Sequence, residues 1–473
     1  MIRRFALLCA LAATAFAGTA PAQTQTAIDW AKLNDEATQW LAGLLRINTT
    51  NPPGNELAAA KYLAEILQRE GITAEVLESA PGRGIVVARL RSGAITDPSR
   101  ALLLLGHTDV VGVEKEKWTQ DPFGAHIKDG YMYGRGALDM KGMVIANLAV
   151  MVALKRQALP LTRDVIFLAE GDEEAGGVEG IEFAIAKHWD KIAAGFAINE
   201  GGRVFVKDGK VQYVGVQASE KVAVNVSVIA TGSSGHASIP RKDNPVVHLA
   251  AAIAKIGAYE VPAKPTTIVR RYFEKLAAIE DQEIAKWMRA LDPEREPQAI
   301  RRISEASPVW SAMLRTTISP TILNGGFRSN VIPSEARATL NIRLLPGESI
   351  YNVVEDLKKV VADERIRFEI APGGRKPSPP SAIDTDLYRA FETAAQQVFP
   401  EAAVLPLMST WATDSAQLRV RNVQCYGIIP FPLTAEDEQR MHADDERIPI
   451  TAFHKGIEYL FRVVDPFVRA PVQ

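Results

Sequence analysis

The sequence predicts an α/β protein with a mostly parallel central sheet, into which a smaller ferredoxin-like α+β unit is inserted. Three observations carry this. From Gln23 to about Glu200, short apolar runs alternate with helix-like stretches, the pattern of a parallel sheet with crossover helices. After about Gln217 the order becomes strand, helix, strand, strand, helix, strand, the split β-α-β-β-α-β arrangement. Finally, 473 residues exceed what one core commonly supports, so two domains are expected.

Taken in order, the chain opens with Arg3 and Arg4, an apolar stretch from Phe5 to Phe16, and small residues at Ala20 and Ala22. That predicts a secretory signal over residues 1–22, cleaved after Ala22, and a secreted or periplasmic mature protein. Cleavage removes Cys9 and leaves Cys425 alone, so no intramolecular disulfide can form. Loss of Arg3 and Arg4 moves the formal net charge from −2 to −4, too mild a balance to suggest nucleic acid or a membrane surface. No later segment approaches a membrane-spanning length.

The stretch "DWAKLNDEATQWLAGLLRI" has apolar residues at helical spacing. The runs "GIVVARL", "ALLLLGH", "DVIFLAEG" and "AGFAINEGG" read as strands, and "GMVIANLAVMVALKRQ" and "GIEFAIAKHWDKIA" as the helices between the last three. The first part of the larger domain is expected over 23–219, the inserted domain over 220–371, and the second part over 372–473. Within the insert, a charged helix-prone segment occupies about 265–308. "APGGRKPSPPS" reads as a connector.

The stretch "VIFLAEGDEEAGG" places Glu170, Asp172, Glu173 and Glu174 within five positions at a strand exit. Crowded carboxylates repel, so at least one must be protonated or sit beside a cation. Other metal-competent residues recur at comparable places. His107 and Asp109 follow "LLLLG", two apart and therefore on one side of an extended chain. An H-x-D pair suits a ligand with its supporting carboxylate, and equally a serine-hydrolase triad. Asp139 in "GALDMKG" precedes a helix, where it could be a ligand or simply an N-terminal cap. Glu200 ends another strand before two glycines, and His442 lies among acids far down the chain. Two imidazoles with three carboxylates would largely balance two divalent cations, and the mixture suits zinc, with manganese or cobalt as substitutes. Of the neighbours Glu173 and Glu174, one can ligate while the other faces the substrate as general base.

In order along the chain, "GHTDVV", "GRGALDMKG", "GDEEAGG", "NEGG", "GHASIP", "NVIP" and "MHADDERI" resemble the dinuclear zinc peptidases and deacylases. That family includes aminoacylase, acetylornithine deacetylase, succinyl-diaminopimelate desuccinylase and glutamate carboxypeptidase. The resemblance runs from Thr50 to Ile448 and is nearest the carboxypeptidase S and N-acyl-amino-acid hydrolase branch. It implies a zinc-exopeptidase-like catalytic domain with an inserted lid domain. It also implies His107 and Glu200 on one Zn2+, Glu174 and His442 on another, and Asp139 bridging. Glu173 is then the general base and Asp109 orients His107. His236 would stabilise the oxyanion, and Asn330 and Arg343 would hold the substrate. In many relatives the histidine matching His236 comes from a partner subunit, so a homodimer through the lid is implied.

The activity expected is hydrolysis of an amide next to a free carboxylate, on a small peptide or on an N-acyl amino acid. A metal-retaining peptide-binding protein is the rival from another class, but it has no need of Glu173 beside Glu174. A serine hydrolase would need a G-x-S-x-G elbow, which is lacking.

Overall fold

The computed structural model describes residues 27–93, 97–373 and 375–469; the expected signal segment lies outside them. Ten strands form the main sheet. Its centre is parallel: Val165–Glu170, Leu102–His107, Phe196–Asn199 and Gln424–Gly427 lie side by side. Antiparallel strands flank it, with Arg83–Leu90 on one side and Lys210–Glu220 on the other. Leu102–His107 and Val165–Glu170 are buried along their whole length. Both faces are covered, which is why these strands read as unbroken apolar runs.

Alternation sorts their side chains. Leu102, Leu104, Val165 and Phe167 join the core under the long helices, whereas Leu103, Leu105, Ile166 and Leu168 join a second core on the other face. The helix Lys141–Gln157 is buried except at Lys155 and Arg156, as an all-round apolar helix must be. Register then aligns the chemistry. His107 pairs with Glu170 at the ends of their strands, and Glu200 directly follows Asn199, so their exits share one edge of the sheet.

The smaller unit has four antiparallel strands in the order Thr317–Gly325, Glu335–Leu344, Val222–Thr231, Ile366–Ile370. Helices Pro245–Ala258 and Ile350–Val361 pack with them around Val226, Val228, Leu340, Ile342 and Leu357. The helical segment expected over 265–308 forms Thr267–Leu276, Gln282–Arg289 and Pro297–Ala306, followed by Pro308–Leu314. Although it interrupts the smaller unit in sequence, it packs on the larger one. Val269, Phe273, Met288 and Ile303 share the main core with Leu405 and Leu407. Among the described residues no helix is long and apolar enough to cross a membrane. Cys425 is fully buried, and burial pushes its thiol up to about 12, leaving it without reactivity.

Lys221 lies at the crossing between the two units. Its ammonium is buried and donates to Ala312 O at 2.9 Å, Arg315 O at 2.8 Å and Thr317 Oγ1 at 3.1 Å. Burial, followed by the neighbouring Arg343 charge, pulls its pKa down to about 7. The folded value lies below that of an unfolded lysine, about 10.4. Unfolding therefore takes up a proton between these values, and the burial cost, full below pH 7, is relieved as pH rises. Denaturant unfolding should show wild type gaining stability relative to Lys221→Met between pH 6 and 9; a pH-independent difference would contradict this.

Candidate metal centre

Four acids crowd the exit of Val165–Glu170, and the structure gives each a different solution. Glu170 points into the protein beside buried Asp414; burial, then that neighbour, raises its pKa well above the carboxylate range, so it is held as the acid. Asp172 takes a positive φ of 71° and is held by Arg83 at 2.9 Å and Asn51 at 3.0 Å. Glu173 and Glu174 occupy a short 3-10 turn beyond it. Glu173 receives Arg375 Nη2 at 2.5 Å, and Glu174 faces His442 at 3.0 Å. Of the four, only Glu173 and Glu174 line the cleft.

The five expected metal-binding side chains converge. His107 Nδ1 donates to the Asp109 carbonyl at 3.0 Å and lies 3.3 Å from its carboxylate. That leaves Nε2 facing Asp139 Oδ1 at 3.1 Å and Glu200 Oε1 at 3.7 Å. His442 Nε2 lies 3.1 Å from Asp139 Oδ2 and 3.0 Å from Glu174 Oε1. Each Asp139 oxygen therefore faces a different histidine. Candidate donor atoms of His107, Asp139 and Glu174 fall within 4.8 Å of one another, as do those of His107, Glu173 and Glu200.

The protonation pattern shows the same demand for positive charge. Burial opposes charge on His107, but Asp109 and Asp139 outweigh it and raise its pKa well above the usual value. Asp139, then Glu174, raise His442 to about 10. Burial works against the Asp139 anion, yet bonds to both histidines hold its pKa below the ordinary range. Burial, then Asp139, pushes Glu200 well up, and burial lifts Glu173 to about 7 despite Arg375. Nitrogen lone pairs aimed at buried carboxylate oxygens need protons or cations between them, and the nitrogen–oxygen donor set suits divalent metal.

Asp139 is no helix cap. The helix starts at Lys141, with Met140 at the cap position and a cis Asp139–Met140 peptide before it. What holds Asp139 is Glu446, fully buried in the late "DDERI" stretch. Its carboxylate accepts from Arg135 Nη1 at 2.6 Å, Gly136 N–H at 3.1 Å, Leu138 N–H at 2.8 Å and Asp139 N–H at 3.2 Å. Arg135 also donates to the His442 carbonyl at 3.4 Å.

The substrate-side expectations divide. Arg343 lines a cleft of about 1210 Å³ together with Asp139, Glu173, Glu174, Glu200 and His442. His236 and Asn330 do not line it. His236 is exposed on a two-residue strand paired with Val331, beside Ser238 Oγ at 2.6 Å, and the Asn330 carbonyl accepts from Ala237 N–H. Within one chain they are not brought to the cleft.

The chain matches the profile of Peptidase family M20/M25/M40 over residues 103–465. It belongs to that family. Among relatives, a Dictyostelium discoideum protein described as probable carboxypeptidase S-like 2 is 29% identical over 77% of this chain and 71% of the relative. The human N-fatty-acyl-amino acid synthase/hydrolase PM20D1 is 30% identical over 78% of this chain and 74% of its own. In fold, the chain is similar to the M20 family metallo-carboxypeptidase Sso-CP2 from Sulfolobus solfataricus. The TM-score is 0.70 at 23% identity, covering 92% of this chain and 99% of that one. Membership in M20 makes the chain a hydrolase of the metallopeptidase type.

Three residues of this M20 site escaped the sequence reading. Glu446 sat in a quoted motif without a role, Arg375 in a segment read as a connector, and Asp414 in none. A lone acid or arginine in a loop carries no periodicity, so only spatial pairing reveals it. Glu446→Ala would strand the buried Arg135 charge, costing about 3–5 kcal/mol in urea unfolding. Metal affinity, read by chelator competition, should fall about 10–100-fold as Asp139 loosens. Unchanged affinity would count against this role.

Proposed function

We propose that the chain hydrolyses an amide bond whose amine side carries a free carboxylate, in the manner of a carboxypeptidase or dipeptidase. The observation that carries this is Asp139, whose two oxygens each face a different histidine. Such an arrangement supports two cations: His107 and Glu200 would hold one, His442 and Glu174 the other, with Asp139 shared. Zn2+ fits the donors, and Mn2+ or Co2+ could substitute. Bound there, divalent cations would polarise the scissile carbonyl and lower the pKa of water.

The protein's own groups do the rest. Glu173 takes the proton of the attacking water and returns it to the leaving amine. Its side chain lines the cleft among the expected ligands, where a base must stand. Asp109 keeps the His107 ring in place, and Arg343 receives the substrate carboxylate. A second reading, deacylation of N-acyl amino acids, is favoured by the apolar wall of the cleft, where Phe205, Trp411, Ile429 and Met441 could take an acyl chain.

A homodimer through the smaller unit would complete the site. Thr317–Gly325 is a free sheet edge, Ile322, Leu323 and Phe327 are exposed on or near it, and His236 and Asn330 await a cleft other than their own. The signal segment expected over residues 1–22 would take the protein to the periplasm or outside the cell.

Amine release from a panel of dipeptides and N-acyl amino acids tests the chemistry. Activity should vanish with chelator and fall at least about 10²-fold in Glu173→Gln, with metal content retained. Turnover undiminished in Glu173→Gln would refute the assignment of the base. Exchange in trans has its own test. Mixing inactive His236→Ala with inactive Glu173→Gln should restore part of the activity, because mixed dimers regain one intact site. No recovery from chains shown to exchange subunits would place His236 elsewhere.

A further inference from the structure

Three guanidinium groups line the cleft; Arg203 is paired with Glu438 at 2.9 Å, whereas Arg343 and Arg375 keep N–H groups that no anion meets among the described residues. Arg343 comes from the strand Glu335–Leu344; its Nε donates to Asn341 Oδ1 at 2.9 Å, and its terminal nitrogens have no acceptor among the described residues. Arg375 comes from the segment that returns the chain from Ile366–Ile370 to the larger unit. A single nitrogen makes all its contacts. Nη2 donates to Glu173 Oε1 at 2.5 Å, Glu173 O at 3.3 Å and Asp414 Oδ1 at 3.1 Å. Its Nε and Nη1 have no acceptor among the described residues, and both arginines line the same cleft.

The charges around them point the same way. Burial, then Arg375, lowers the Arg343 pKa, so the two cations act on each other. Glu173 and Asp414 balance Arg375 on one side only, and Arg343 has no carboxylate partner among the described residues, so an anion bound between them would be favoured. The planar N–H edge of arginine is the fork that receives a carboxylate. Arg375 meanwhile stays anchored by Asp414, which is only 1% exposed.

We propose that Arg375 joins Arg343 as the second arm of the substrate-carboxylate receptor, and that its remaining bond to Glu173 ties placement of the base to occupancy of that receptor. This rests on the amide-hydrolase reading above. A free carboxylate then raises kcat as well as lowering KM, because its binding is expressed where the base works.

The test uses the full, metal-loaded protein with N-dodecanoyl-leucine and its uncharged counterpart N-dodecanoyl-leucinamide. Wild type should prefer the acid by about 10²-fold in kcat/KM, as expected for charge-assisted bonds. Arg375→Ala loosens Glu173 and should slow both substrates, but it should lower kcat on the acid by at least about tenfold more than on the amide, removing most of that preference. Arg375→Lys should recover part of it with unchanged metal content. Equal losses on acid and amide would show that Arg375 only braces Glu173, and no preference in wild type would remove the receptor; either result overturns the proposal. If neither compound turns over, the amide-hydrolase reading is what fails for them. The same pair is then titrated calorimetrically into the metal-loaded protein. Tighter binding of the acid, lost in Arg375→Ala, still supports the receptor, and equal binding of the two overturns it.

Discussion

The Asp109 carboxylate is fully buried, and four groups share it. Asn51 donates to it at 3.0 Å, the Glu173 and Glu174 N–H groups at 3.2 Å each, and the His107 ring lies 3.3 Å away. An unpaired carboxylate at that depth would be prohibitive, so the surrounding loops are obliged to deliver donors to it. In doing so they place His107 and the turn carrying Glu173 and Glu174 in one frame. One anion thereby sets the relative position of residues from two different strand exits. Glu446 does the equivalent work on the other side of the cluster, tying the Asp139 backbone to Arg135 and the late His442 loop.

Charge is separated across the cleft. At the sheet edge, carboxylates outnumber histidines and the protonation pattern asks for cations. On the wall toward the smaller unit, Arg343 and Arg375 stand instead. The proposed substrate, with a carboxylate at one end and a polarisable carbonyl nearby, would meet both fields in one orientation, which is how electrostatics confers selectivity without much contact area. The apolar surface of Phe205, Trp411, Ile429 and Met441 leaves room for a hydrophobic group elsewhere in the cleft.

The helical segment Thr267–Leu314 alters how the smaller unit is attached. Lys275 donates to Glu392 and to the Val404 carbonyl, both at 3.0 Å, and the apolar faces of its helices belong to the main core. The smaller unit is thus joined to the larger by packed helices as well as by its two chain crossings. Lys221 sits where one of those crossings meets Ala312 and Arg315, so the joint is polar and buried at once.

Much of this was legible in the sequence. Unbroken apolar runs ending in His107, Glu170 and Asn199 determined buried parallel strands, because burial on both faces leaves no place for polar residues. Motif order along the chain picked out the histidines and carboxylates that converge at the sheet edge. What the sequence left open is which acids of "GDEEAGG" face the cleft, that Asp139 is held by Glu446 rather than capping a helix, and that His236 and Asn330 lie off their own chain's cleft. Arg375 reaches Glu173 across 202 residues, and Glu446 reaches Asp139 across 307. Local spacing encodes which way a side chain points from its own strand or helix. Pairings that close loops of such length are decided only when the whole core packs, because burial of one charge then compels a distant partner to meet it.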